Sequence, residues 1–251
     1  MPDNKRVRDL TLVDLGQQTL IIGCDSTGAV GPKSGDQLQV SGELLGRMIA
    51  VVPIMEVMAS GALPVAIIDT LSVEMHPTGE NILNGIKKSI EEAGLPLSLI
   101  NGSTEENFPT SQTGMGVTVV GVAERNDLRI GSSVDGDIVY LVGKPLVGAE
   151  VLDKPRLVAG IKTLRYLLEV TEIHEILPVG SKGVDYELKL LAITAGLSFE
   201  YLLGADKVDM QKSAGPATCV LATGEREAER YLKELHLPVT PIAILKPDIT
   251  F

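Results

Sequence analysis

The apolar positions of the first 25 residues fall into two short runs, 10–15 and 19–24, with Gly16 in the turn between them, and these read as two strands. The second run ends at Asp25, and a loop of small residues, 26–36, follows. The period then changes. Across 41–59, Leu44, Leu45, Met48, Val51, Val52, Met55 and Met58 recur at helical spacing, with Pro53 predicting a kink or a division and Ser60-Gly61 an end. Residues 64–72 read as a strand that carries Asp69 inside an apolar run. The spacing over 78–93 predicts an amphipathic helix, with Ile82, Leu83, Ile86 and Ile90 inward. Glu80, Asn81, Lys87, Lys88, Glu91 and Glu92 fall on its outward face, and Gly94 closes it. A short strand at 97–100 leads into a small-residue turn, and a long strand is expected at 114–124.

A turn-rich segment, 130–137, separates this half from a second one and predicts domains at 1–136 and 137–251. The second half reads as strands at 138–143, 198–202, 217–222 and 239–245, with helices at 156–170, 184–195 and 225–235. Strands and helices alternate in both halves, so the fold class is α/β or α+β. No repeat of 20–50 residues is present.

Composition narrows the partners. Apolar residues make up 44% of the 251, enough for a core, while aromatics are only 3% and Trp is absent. Little aromatic surface is therefore available for stacking single-stranded nucleic acid. A net charge of −11 argues against nucleic acid or an anionic membrane as partner. Phosphate ligands stay open, because a divalent cation can bridge acidic side chains and phosphate oxygens. Cys24 and Cys219, with His76, His174 and His236, are too scattered for a zinc motif. No apolar run approaches the ~18 residues of a membrane span, and the first residues lack the apolar core of a signal peptide. A soluble, cytoplasmic protein is the expectation.

The residues with chemistry to offer are acids near strand ends: Asp9, Asp25, Asp69, Glu105 and Glu106. Each alone fits a turn or capping role. Together they suit magnesium, which takes a few carboxylates and completes its shell with water and phosphate oxygens. Gly102, Ser103 and Thr104, just before the two glutamates, offer close backbone approach and hydroxyls to a phosphate. The loop that follows Asp25 adds Gly28, Gly31, Gly35 and Lys33, whose free backbone N–H groups and ammonium suit an anion. It is not a standard P-loop, and no nucleophile elbow or Ser/His/Asp set is present.

Several segments, in order along the chain, resemble the ATP-binding superfamily of aminoimidazole ribonucleotide (AIR) synthetase, thiamine-monophosphate kinase, selenophosphate synthetase and a hydrogenase maturation factor. Residues 55–64, Met-Glu-Val-Met-Ala-Ser-Gly-Ala-Leu-Pro, resemble that superfamily's Asp-Leu-Ala-Ala-Met-Gly-Ala-x-Pro helix end. Residues 100–104 resemble its Val-Gly-Gly-(Asp/Glu)-Thr turn, and 20–26 its strand ending in Thr-Asp-Thr. Residues 8–13 are a fainter echo of Gly-Asp-Asp-Ala-Ala-Val, and 179–184 and 213–216 fall near two second-half motifs.

The resemblance implies a two-domain AIR-synthase-like fold, an N-terminal sheet that pairs across a homodimer, ATP near that interface, and metal held at Asp9 and Asp25. Three departures stand out: Ser103 replaces an acid, Lys182 stands where the kinases have Asp, and Glu56 replaces Asp. A subgroup, α-ribazole kinase, is similar at 9–11, 24–26 and 102–109 and implies transfer of phosphate from ATP to the ribose 5′-hydroxyl. The site expected on this footing has Asp9, Asp25, Asp69 and Glu105 or Glu106 on Mg2+. Gly28, Gly102, Ser103 and Thr104 touch ATP, Lys33 closes over the phosphates, and Lys182 supplies a fixed positive charge. Two other readings remain open: a different ATP-dependent enzyme of the superfamily, and a nucleotide-binding regulator without catalysis.

Overall fold

The structure is a computed structural model that describes residues 4–248. The chain divides into two units. One holds the residues up to Met58 together with Ala62–Asn126, and the other holds Ala59–Gly61 and the residues from Asp127 on. The division falls at 126/127, ahead of the 136/137 position read from the turn signals. The reason is that segment 127–136 bonds into the second unit. The Arg129 N–H donates to the Ser60 carbonyl at 2.9 Å, and the Gly131 N–H to Glu175 Oε1 at 2.7 Å.

The first unit contains β1 (Asn4–Val7), β2 (Leu10–Asp14), β3 (Gln18–Gly28), β4 (Val30–Gly31), β5 (Leu38–Gln39), α1 (Gly42–Ala59), β6 (Leu63–Leu71), α2 (Glu80–Glu92), β7 (Ile100–Thr104) and β8 (Gly114–Glu124). Six of the strands form one sheet in the order β1-β2-β3-β8-β6-β7, and β4 pairs with β5 apart from it. All pairings in the large sheet are antiparallel except β6 with β7. That parallel pair needs a crossover, which α2 supplies.

Four expectations change here. β3 does not stop at Asp25 but runs on to Gly28, so Asp25 lies inside a strand. Pro53 does not divide α1, which stays one helix of 18 residues. The expected strand at 97–100 is a single 3-10 turn, Leu97–Leu99, and the supposed turn 101–104 is itself the edge strand β7. β1 falls outside the apolar runs because its Asn-Lys-Arg-Val sequence is largely exposed.

One face of the sheet is a core. Ile21, Ile67, Val117 and Val119 pack there with Ile54, Met55 and Val57 of α1 and Ile82, Ile86 and Ile90 of α2, all fully buried or nearly so. The two helices touch backbone to backbone. A Cβ at Gly46 would overlap the Ile82 carbonyl, and one at Gly85 would overlap the Glu43 carbonyl. Ser89 Oγ donates across the crossing to the Arg47 carbonyl at 3.0 Å.

The second unit contains β9 (Ile138–Gly143), α3 (Ala149–Asp153), α4 (Ile161–Glu169), β10 (Ile173–Pro178), α5 (Val184–Thr194), β11 (Leu197–Tyr201), β12 (Cys219–Gly224), α6 (Glu229–Leu232) and β13 (Val239–Pro247). Its sheet has the order β10-β12-β9-β13-β11, with every pairing antiparallel. Val184, Leu188 and Leu191 of α5 pack on Val139, Leu141, Leu221 and Leu245. The sequence reading misses β10 and α3, and the helix expected at 225–235 shrinks to α6 and a preceding 3-10 turn. Both units mix helix and strand around sheets that are antiparallel but for the β6–β7 pair, the α+β form of the expected class.

Candidate functional site

The registers of β3, β8, β6 and β7 place Asp25, Val117, Asp69 and Gly102 in one transverse row of the sheet. Directly opposed residues share a face, so both carboxylates lie on the helix-covered side. With strands about 4.8 Å apart, the Asp25 and Asp69 backbones are about 10 Å from each other across Val117. Asp69 is only 3% exposed. Burial pushes its carboxyl up to about 6, against the pull of its own backbone N–H. Asp25 is half-buried and raised for the same cause, partly offset by the Ser26 N–H at 2.9 Å. Acids held on a core face at a cost to their charged form are a pattern of functional sites.

Gly102 explains how Asp69 fits. The Asp69 carboxylate occupies the space that a Cβ at 102 would fill, so the row closes only with glycine there. On the free edge of β7 the Gly102 N–H meets no partner strand and donates to Asn101 Oδ1 at 2.9 Å. A cavity of about 270 Å3 opens beside this edge, lined among others by Asp69, Lys87, Asn101, Gly102, Ser103 and Thr104. Lys87 was assigned to the outward face of its helix. It is instead half-buried and lines the cavity, a placement that helical periodicity does not encode.

The other expected residues are arranged differently. Glu105 accepts from the Asn107 and Phe108 N–H groups at 2.6 and 3.2 Å, and Glu106 from Thr104 Oγ1 and the Met75 N–H at 2.9 and 2.8 Å. Glu105 thus braces its own loop, and Glu106 ties that loop to the segment at Met75. Asp9 lies in the β1–β2 turn, at the end of β3 that carries Asp25, and its carboxylate is 3.8 Å from Arg6. Lys33 does not reach over an open phosphate site: its ammonium is paired with Glu74. Burial would raise Glu74, but hydrogen bonds from Lys33 and Thr78 outweigh it and hold the carboxyl at about 2. Asp36 anchors the same loop, accepting from the Thr113 N–H and Oγ1, each at 2.7 Å. Gly28 ends β3 with open space where a side chain would stand. Lys182, in the second unit, donates to Tyr186 OH at 3.1 Å and lies over that ring.

Among the described residues no three His, Cys, Asp or Glu side chains converge as a metal cage. The expected set of four acids is therefore not gathered within this chain. What remains is two separate carboxylates in one row, each a hard oxygen donor of the kind Mg2+ takes when substrate phosphates and water fill the rest of its shell.

This architecture is the AIR-synthase-like fold, and residues 8–123 match the family described as AIR synthase related protein, N-terminal domain. The chain is similar to the thiamine-monophosphate kinase of Archaeoglobus fulgidus, with 23% identity over 218 residues covering 79% of this chain and 71% of that protein. Among solved structures it resembles thiamine monophosphate kinase from Aquifex aeolicus, with a TM-score of 0.68, 18% identity, and coverage of 96% of this chain and 90% of that one. It also resembles the hydrogenase maturation protein HypE in complex with ATP, with a TM-score of 0.64, 17% identity, and coverage of 91% and 77%.

Proposed function

We propose that this protein is an ATP- and Mg2+-dependent small-molecule kinase whose acceptor is the ribose 5′-hydroxyl of α-ribazole. The observation that carries the kinase reading is the row Asp25–Val117–Asp69–Gly102, with the Asp69 carboxylate seated against a glycine at the edge of a polar cavity. The relatives named above, a kinase of a phosphorylated small molecule and an ATP-bound maturation protein, support the same reading. The acceptor rests on the resemblance of 9–11, 24–26 and 102–109 to α-ribazole kinases. The curated relative favours a second acceptor, thiamine monophosphate.

Phosphoryl transfer asks the protein for in-line positioning and for neutralisation of charge rather than for covalent chemistry. Asp25 and Asp69 would each offer a carboxylate to Mg2+, with Asp9 as a further candidate ligand, and the metal when bound would neutralise charge on the phosphate oxygens. Ser103 and Thr104 present hydroxyls along the cavity edge, and glycine at 102 lets a phosphate approach the backbone. The acceptor oxygen forms a bond to the γ-phosphorus as the bond to the ADP oxygen breaks, and the hydroxyl proton passes to solvent. Lys182 is assigned a supporting positive charge, so Lys182→Ala should weaken ATP affinity and turnover.

A homodimer fits the uncovered face of the first unit's sheet. Leu63, Val65 and Ile68 are 65%, 44% and 38% exposed there, beside half-buried Leu20, Ile22, Val120 and Val122. Contiguous apolar surface of this kind marks an interaction site.

The test is ADP release measured against a panel of acceptors with ATP and Mg2+. Release that depends on α-ribazole supports the assignment, and release with thiamine monophosphate alone moves it to the second acceptor. ATP binding without turnover on any acceptor would overturn the kinase reading in favour of a nucleotide-binding regulator.

A further inference from the structure

We infer that Lys87 is the cation that holds phosphate oxygens at the edge of β7, in the place for which Lys33 is not available. The inference rests on the nucleotide-binding reading above and names the residue that would give it affinity. The cations of this region are otherwise engaged. Lys33 is paired with Glu74, Arg47 with Glu92 at 3.0 Å, and Lys88 with Glu43 at 2.6 Å. Lys87 makes no ion pair or hydrogen bond among the described residues, although it is half-buried and lines the cavity. A half-buried lysine without a counter-ion favours an anion in the space it lines.

The remaining groups of that cavity fit a phosphate. Ser103 and Asn101 can donate from the edge strand, and the outward Gly102 N–H is held by the Asn101 side chain, which can swing aside. Asp69 on the same wall repels a bare anion, so a phosphate there needs both a metal on the carboxylate and a fixed cation opposite it. Leu83, Met75 and Ile100 line the rest of the cavity and reduce the competition from water. The ligand class is a polyphosphate chain, such as that of a nucleoside triphosphate with Mg2+.

The experiment is calorimetric titration of the full-length protein with Mg2+-tripolyphosphate, Mg2+-ATP and adenosine, for the wild type, Lys87→Gln, Lys87→Arg and Lys88→Gln. Loss of a charge-assisted contact predicts at least a tenfold weaker Kd for both phosphate ligands in Lys87→Gln, which corresponds to about 1.4 kcal/mol. Adenosine binding should be unchanged, Lys87→Arg should recover part of the loss, and Lys88→Gln should bind as the wild type does. Equal Kd values for wild type and Lys87→Gln on tripolyphosphate would overturn the inference, and so would a wild type that binds neither phosphate ligand. A wild type that binds Mg2+-ATP through Lys87 yet phosphorylates no acceptor would sustain the inference and remove the kinase reading.

Discussion

Gly102 and Asp69 cannot be understood one without the other. The carboxylate fills the volume of a missing side chain on the neighbouring strand, so Gly102→Ala should displace Asp69. The expected result is destabilisation of about 1–3 kcal/mol, typical of overpacking, seen as a lower Tm. Turnover with Mg2+-ATP should fall at least tenfold. In sequence, Gly102 and Asp69 each stood out, as a small residue in a motif and as an acid in an apolar run. Their contact did not, because it depends on the parallel register of β6 with β7. Lys33 shows the reverse: a lysine in a glycine-rich loop suggests an anion, and its partner, Glu74, lies 41 residues away. That pair gives a pH signature. The Glu74 carboxyl is lowered from 4.5 to about 2, so the stabilisation is present above pH 4.5 and is lost as pH falls through 2. Glu74→Gln should therefore cost about 1 kcal/mol at pH 7, after discounting for its partial exposure. The difference in Tm from the wild type should shrink progressively in acid titration below pH 4.5.

At the scale of elements, β8 was legible to the residue because a run of β-branched and small residues, interrupted by Met115 and closed by Glu124, is long enough for one strand only. β10 was not, because Glu175 interrupts its apolar pattern. That glutamate is fully buried and accepts from the Gly131 and Ser133 N–H groups and from Ser133 Oγ at 2.7, 3.2 and 2.6 Å. These donors come from far along the chain, so no local pattern announces that a charge belongs in this strand. Helix packing was half legible. The periods of α1 and α2 show in the sequence, whereas their close crossing rests on Gly46 and Gly85 meeting carbonyls of the opposite helix. Gly85→Ala would gain helix propensity of about 1 kcal/mol in isolation. Here it should instead destabilise the protein by about 2 kcal/mol or more through overlap with Glu43, as read from urea denaturation.

For the molecule as a whole, the resemblance in sequence and the structure agree on an AIR-synthase-like fold, while among the described residues fewer acids converge at the site than expected. A homodimer formed on the open sheet face predicts its own test. Ile68→Glu places a charge in the middle of the face without touching the core side. Sedimentation should then shift from dimer to monomer, with the far-ultraviolet circular dichroism unchanged. A wild type that sediments as a monomer at micromolar concentration would remove the dimer assignment.

The hydrogen bonds around Glu175 also decide where this chain can be cut. A fragment that begins at residue 137 would take the Gly131 and Ser133 donors away from a carboxylate buried in the edge strand β10, and removing partners of a buried charge is costly to a fold. A fragment that begins at residue 127 keeps those donors. The stretch 127–136 looks like a tether in the sequence, yet it acts as the plug that seals the second unit, and a protease that clips it should loosen β10 before any other strand.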